Sequence, residues 1–308
     1  MVAILLWLGI NIFKEVQRTQ PASIKAQVED VSTPTQIEDV STPNIGKLIK
    51  PIIQSEDTFT LVFEDELPEP ITQSDSMDTK PQQKRHKVAL IIDDVGYDMK
   101  ALQRLLALPF TITVSILPDS PYAKQAAQIA HQHGVTVMLH MPMQTTNPKY
   151  TQKMEAFYLH TGMGKPEFTQ VFEDALSKVP YVAGINNHMG SALTADKKSM
   201  QWLMALSKKH DLFFIDSRTS SSSVGKDVAK TSQIPWNVRD IFLDHSVEAE
   251  ALRHAWQSAL KCAKRNDHCI MLAHPHPETL AFLENNILAE DYHRFINISD
   301  VLYKPETQ

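Results

Sequence analysis

The chain has 308 residues, a formal net charge of −6, an isoelectric point near 6.1 and 43% apolar residues. That charge excludes a surface basic enough to advertise nucleic acid as a partner, and the apolar fraction is ordinary for a globular protein. The apolar residues are unevenly spread, with aromatics and long apolar runs concentrated after residue 85.

The first residues, MVAILLWLGINIF at 1–13, are strongly apolar but fewer than the ~20 needed to span a membrane as a helix. No basic segment precedes them and no small-residue cleavage site follows, so the run is expected to be an export signal or inner-membrane anchor whose start is truncated, with a short packed helix as the alternative. Residues 14–85 read as a disordered linker rich in Gln, Ser, Thr, Pro, Glu and Asp, including the repeat QVEDVSTP and QIEDVSTP. Such composition buries too little apolar surface to offset chain entropy. The stretch TFTLVFEDEL at 58–67 reads as an apolar patch within this tether, with a short strand or docking peptide as the alternative.

From residue 86 to the end at 308 the pattern becomes one domain of alternating strands and helices. Strands are predicted at 87–93, 111–117, 135–140, 182–188, 212–217, 240–244 and 268–273, each short and rich in Val, Ile, Leu or Phe, as for strands buried on both faces. Between them, PYAKQAAQIAHQHG closes a helix at Gly134, TADKKSMQWLMALSKKH opens one with Thr194 as its cap, and SVEAEALRHAWQSALKCAKRN begins at Ser246. The last has Glu248 and Glu250 in its first turn and Lys261, Lys264 and Arg265 near its end, matching the helix dipole. Cys262 and Cys269, the two cysteines, flank the turn that follows; they are expected either as a disulfide or as two buried thiols.

Several predicted strands end abruptly in Asp or His: Asp93 and Asp94, His140, His188, Asp216, Asp244 and His274. Buried strands carry ionisable groups only where these are paired or bind something, and strand ends gathered on one face of an α/β fold are where ligands bind. Because the residues come from many strands, a barrel with one common mouth is favoured over an open sheet, and seven strands over eight. Together they suggest a metal-dependent hydrolase. Adjacent Asp93 and Asp94 can share a site only where the strand is ending and twisting; one would bind a divalent metal and the other accept a proton. His140 and His188 supply two imidazoles, a set that with one carboxylate suits zinc. His274 is placed to protonate a leaving group, with His274 and His276 as a metal pair the alternative. Asp216 and Asp244 are expected behind the ligands, each able to orient an imidazole. Arg218 is expected to pair with the catalytic aspartate or hold substrate, Asn187 and His276 to lie near the substrate, and SRTSSSS either to meet sugar hydroxyls or to be a solvated loop.

The motifs IIDDVG, LHMPM, GINNHMGS, FIDSRTS and FLDHS, with Leu-Ala-His at 272–274, occur in an order that resembles the divergent polysaccharide deacetylases, a bacterial-envelope branch of the NodB-homology group. The resemblance spans about residues 86–300 and implies a distorted (β/α)7 barrel. It also implies Asp93 as base, Asp94 as metal ligand and His274 as acid, in a reaction that releases acetate from an acetylated glycan. Where related enzymes carry a second histidine four residues after the first, this chain has Gln144, so His188 is taken as the third ligand; no Arg-x-Pro motif is evident. The expected protein is a periplasmic or otherwise extracytoplasmic deacetylase acting on acetylated polysaccharide or peptidoglycan. A non-catalytic glycan-binding or scaffold protein is the alternative.

Overall fold

The computed structural model describes residues 86–147, 149 and 156–305. The apolar run at 1–13, the linker at 14–85 and the patch at 58–67 lie outside the described residues. No helix among the described residues is long and apolar enough to cross a membrane.

In chain order the elements are β1 (Lys87–Val95), α1 (Met99–Leu106), β2 (Thr113–Ile116), α2 (Ala123–Gln132), β3 (Thr136–Met143), α3 (Lys165–Lys178), β4 (Val182–Met189), α4 (Lys197–Lys209), β5 (Phe213–Asp216), α5 (Gly225–Thr231), β6 (Trp236–Val238), β7 (Ile241–Phe242), α6 (Ala249–Asn266), β8 (His268–Ala273) and α7 (Pro277–Asn285). The strands form one sheet in the order β6-β5-β4-β3-β2-β1-β8-β7, and every ladder in it is parallel.

The two ends of this ladder are consecutive pieces of one segment. β6 pairs with β5 through Phe214 and Trp236, while β7 pairs with β8 through Ile241 and Met271. Only Arg239 and Asp240 separate them. The Arg239 N–H donates to the Asp216 carbonyl at 2.9 Å, and the next N–H, that of Asp240, donates to the Ile270 carbonyl at 2.9 Å. Consecutive amides therefore serve opposite neighbours, and the broken strand joins the two edges. Counted as one member, it makes this a distorted (β/α)7 barrel, as expected. The sequence reading placed the sixth strand at 240–244 and missed Trp236–Val238, because three residues carry no readable alternation.

Alternation along the strands separates two cores. Val88, Leu90 and Ile92 of β1, Val137, Leu139 and Met141 of β3, and Met271 and Ala273 of β8 face the helices. Ala89, Ile91, Met138, Phe213, Ile215, Ile270 and Leu272 fill the barrel interior, where Ile298 and Val301 join them. Gly184 is needed at this level: a Cβ there would lie 2.2 Å from the Phe213 ring.

Two helix starts differ from the sequence reading. α4 is capped by Asp196, whose carboxylate accepts from the Ser199 N–H at 2.8 Å, while Thr194 turns its hydroxyl back to the Gly190 carbonyl. α6 starts at Ala249 rather than at Ser246. Cys262 and Cys269 are buried free thiols, so the disulfide alternative is not the one found. Burial pushes both thiols up, away from the reactive thiolate. A thiol-reactive dye is expected to find neither cysteine in the native protein within minutes and both after unfolding; an absence of thiols in denaturant would show a disulfide instead.

Candidate metal centre

The inward-facing residues of the strands change character near the strand C-termini. One step beyond the apolar interior stand Asp93, Ser115, His140, Asn186 and Ser217, each no more than 5% exposed. Beyond them, half-buried, come Asp94, His188 and His274.

Neighbouring carboxylates reach one site because β1 is interrupted there. Its register with β2 shifts between Ile92 and Val95, and Asp94 adopts a left-handed backbone with φ 55°. A non-glycine residue there is strained, and such strain persists only where the surroundings fix it. The fixing contacts follow directly. The Leu117 N–H donates to the Val95 carbonyl, the Tyr122 N–H donates to the Gly96 carbonyl, and Gly96 has φ 118°.

Asp94, His140 and His188 converge. Asp94 Oδ1 lies 3.2 Å from His140 Nε2 and 3.0 Å from His188 Nδ1, and the two nitrogens are 3.1 Å apart. The edges of this triangle approach the ~3.3 Å between ligand atoms of a tetrahedral centre with bonds of about 2.0–2.1 Å. Asp94 Oδ1 is buried and makes no properly oriented hydrogen bond despite both nitrogens beside it. Two imidazole nitrogens crowded against a carboxylate oxygen that has no hydrogen bond suit a cation held between them. The donor set therefore fits a divalent metal. Burial works to raise the Asp94 carboxyl, but His140 and His188 outweigh it and hold it well below the usual carboxylate range. Burial likewise works to lower His140, but Asp93 and Asp94 overcome it and carry the imidazole to about 9.

Asp93 Oδ1 stands 3.8 Å from His140 Nδ1 and accepts from Asn186 Nδ2 at 2.8 Å. Burial raises the Asp93 carboxyl. His274 Nε2 lies 3.9 Å from Asp94 Oδ2. Its Nδ1 lies 3.1 Å from Asp244 Oδ1, and Asp244 Oδ2 accepts from the His274 N–H at 2.6 Å and from the Thr279 hydroxyl at 2.9 Å. Burial works to lower His274, and the hydrogen bond to Asp244 reverses this to a raised value. Asp244 thus orients an imidazole. Its oxygens are committed to that task, which disfavours Asp244, His274 and His276 as a second metal triad even though their atoms lie within 4.8 Å. His276 is exposed, at the start of α7.

Three other residues sit differently from the sequence reading. Among the described residues Asp216 bonds to no histidine; it accepts from the Arg218 N–H at 2.8 Å and the Ser223 hydroxyl at 2.6 Å, folding the SRTSSSS loop on itself. Arg218 is exposed, with φ 50°, and forms no ion pair with Asp93. The half-buried cation near Asp93 is Arg239, missed in the sequence, whose guanidinium donates to the Ser217 carbonyl at 2.7 Å and the Arg218 carbonyl at 3.1 Å. Its pKa is lowered by burial and by Arg218, against the pull of Asp216 and Asp93. Asn187 spends its amide on the protein: Nδ2 donates to the Met189 carbonyl and Oδ1 accepts from the Ser217 N–H at 2.9 Å. Ser115, Asn186 and Ser217 were also missed. Their signal was positional, since Asn186 lies two residues before His188 and shares its strand face.

A cleft of about 690 Å3 lies elsewhere, near the starts of β6 and β8, lined by Lys230, Trp236, Asn237, His268, Tyr303 and Lys304; none of the converging acids and imidazoles borders it.

The sequence profile of a family described as divergent polysaccharide deacetylase matches residues 90–302. An uncharacterized protein of Haemophilus influenzae is 40% identical over 208 residues, which cover 67% of this chain and 73% of that protein. Uncharacterized protein YibQ of Escherichia coli is 35% identical over 201 residues, 65% of this chain and 62% of its own length. The crystal structure of an uncharacterized protein from Agrobacterium tumefaciens matches with a TM-score of 0.64 at 21% identity, covering 69% of this chain and 86% of the other, a likeness of fold.

Gly96→Ala tests the bracing of Asp94. The added Cβ would lie 2.0 Å from Ser120 Oγ at a left-handed backbone. A destabilisation of roughly 2–4 kcal/mol is expected, read as a fall in melting temperature of about 5–10 °C by calorimetry. An unchanged melting temperature would show that this loop is not held as described.

Proposed function

The chain belongs to the divergent polysaccharide deacetylase family, and from that premise we propose that its barrel is a metal-dependent hydrolase that removes acetyl groups from an acetylated envelope glycan. The observation that carries the proposal is the triangle of Asp94 Oδ1, His140 Nε2 and His188 Nδ1, with Asp93 3.8 Å from His140 Nδ1 and His274 3.9 Å from Asp94 Oδ2.

Two imidazoles and one carboxylate suit Zn2+ and leave a coordination position open. When bound, that ion supplies a Lewis acid for the acetamide carbonyl and a lowered pKa for water. The remaining chemistry belongs to the chain. Asp93 takes the proton of the attacking water, and its raised pKa makes it a stronger base than an ordinary carboxylate. His274 gives a proton to the departing amine nitrogen, with Asp244 holding its ring. Water and amide become acetate and free amine. Half-buried Asp94, His188 and His274 face the mouth, where a glycan chain can approach.

An extracytoplasmic location, by export or inner-membrane attachment through residues 1–13, is part of the proposal. The apolar run followed by a long polar tether supports it, and peptidoglycan is the acetylated polymer such a tethered enzyme would reach.

Acetate release from N-acetylated chito-oligomers and from peptidoglycan by the Zn2+-loaded protein tests this reading. Asp93→Asn and His274→Ala are each expected to lower the rate by ~10^2–10^4-fold while Zn2+ stays bound, and a chelator is expected to abolish it. Binding of either glycan without any acetate release by the wild-type protein would favour the non-catalytic alternative. A pH comparison adds a signed outcome. Because Asp244 raises His274 above 6.5, the acid stays protonated further into the alkaline range. Asp244→Asn is therefore expected to move the alkaline limb of the rate profile to lower pH; an unmoved limb would remove His274 from the role of acid.

A further inference from the structure

We infer that Asn186 is a positioning residue that fixes the tautomer of His140 and ties that ligand to Asp93, an inference that rests on the metal-dependent reading of the site. Asn186 has 0% exposure. Its Oδ1 accepts from Ser115 Oγ at 2.5 Å and from His140 Nδ1 at 2.8 Å. Its Nδ2 donates to Asp93 Oδ1 at 2.8 Å and to Ser217 Oγ at 3.2 Å. Two acceptor lone pairs and two donor hydrogens are thus all used.

This pattern leaves one orientation for the amide. Turned over, its oxygen would face the Asp93 carboxylate and its NH2 would face His140. With Oδ1 toward His140, the ring proton sits on Nδ1 and the lone pair sits on Nε2. Nε2 is the atom that points at Asp94 Oδ1 and His188 Nδ1. A ligand imidazole must present a bare nitrogen, and the partner of its other nitrogen decides which one that is. Strand pairing delivers the contact, because His140 and Asn186 are register partners across β3 and β4. The same side chain donates to Asp93, so ligand and base are held by opposite ends of one rigid plane.

The side chain needs both functions. Aspartate keeps an acceptor for His140 but has no donor for Asp93. Alanine has neither.

The test uses the full chain. In the metal-free wild-type protein, held well above pH 9 so that the His140 imidazole is neutral, nitrogen-15 NMR of the imidazoles, with His140 assigned by the signal lost in His140→Gln, is expected to show the Nδ1-protonated form. Asn186→Ala, checked for folding by circular dichroism, is expected to lose that preference and to bind Zn2+ ~10–100-fold more weakly. Asn186→Asp is expected to keep the tautomer and the Zn2+ affinity but to release acetate about tenfold more slowly or worse. The dissociation of affinity from turnover is what a merely structural residue would not produce. An Nε2-protonated His140 in the wild-type protein, or a folded alanine variant with wild-type affinity, would overturn the tautomer role. Wild-type acetate release by the aspartate variant would overturn the tie to Asp93. If the wild-type protein released no acetate at all, the deacetylase reading would fail, and the tautomer and affinity measurements would still decide the role at His140.

Discussion

The hydrogen-bonded layer around Asn186 is the constraint on which the rest of the site depends. It lies directly on the apolar barrel interior, where Ile91, Met138, Ile215 and Leu272 exclude water. A polar group buried there without a partner costs on the order of 1–3 kcal/mol. The layer meets that cost by closing on itself. Asp93 from β1, Ser115 from β2, His140 from β3 and Ser217 after β5 all bond to the one amide on β4. Each partner comes from a different element, so no one of them can shift without leaving another unsatisfied. Buried polar networks of this kind, when complete, specify a single arrangement.

Strain sits one step above that layer. Asp94, Met189 and Arg218 lie at or just past the C-terminal ends of three strands and all have left-handed backbones, with φ of 55°, 53° and 50°. Each is braced by the loop beside it. The Asn187 amide and the Thr219 hydroxyl donate to the Met189 carbonyl, and Asp216 holds the Arg218 N–H. The result is a rigid floor with a turned-out rim. Asp93 faces inward and Asp94, the next residue, faces the mouth. A regular strand would have sent one of them to the helices.

The sequence made the rim legible and the floor obscure, for physical reasons. Acids and histidines that end apolar runs are conspicuous, because such strands otherwise bury no charge; Asp94, His140, His188 and His274 were visible in that way. Asn186 and Ser115 were not. A small polar residue within a strand reads as a weakness of the strand until its partners are known, and these come from 31 to 93 residues away in the chain. Asp216 and Asp244 looked alike in sequence. What separates them is the following loop: Asp244 meets His274 just past the end of β8, whereas Asp216 is claimed by Ser223 seven residues on. Arg239 was hidden because it lies in the break between two strands too short to show a period. The barrel itself was readable from alternation of strands and helices, and the broken member explains why seven was the natural count although eight paired segments are present.

X-ray absorption at the zinc edge, on the full chain loaded with one equivalent of Zn2+, tests the central claim most directly. The account predicts a first shell that includes two imidazole nitrogens and at least one oxygen at about 2.0–2.2 Å, losing one imidazole in His188→Ala. A spectrum with a single imidazole or none, or one unchanged by that substitution, would contradict a metal held by Asp94, His140 and His188.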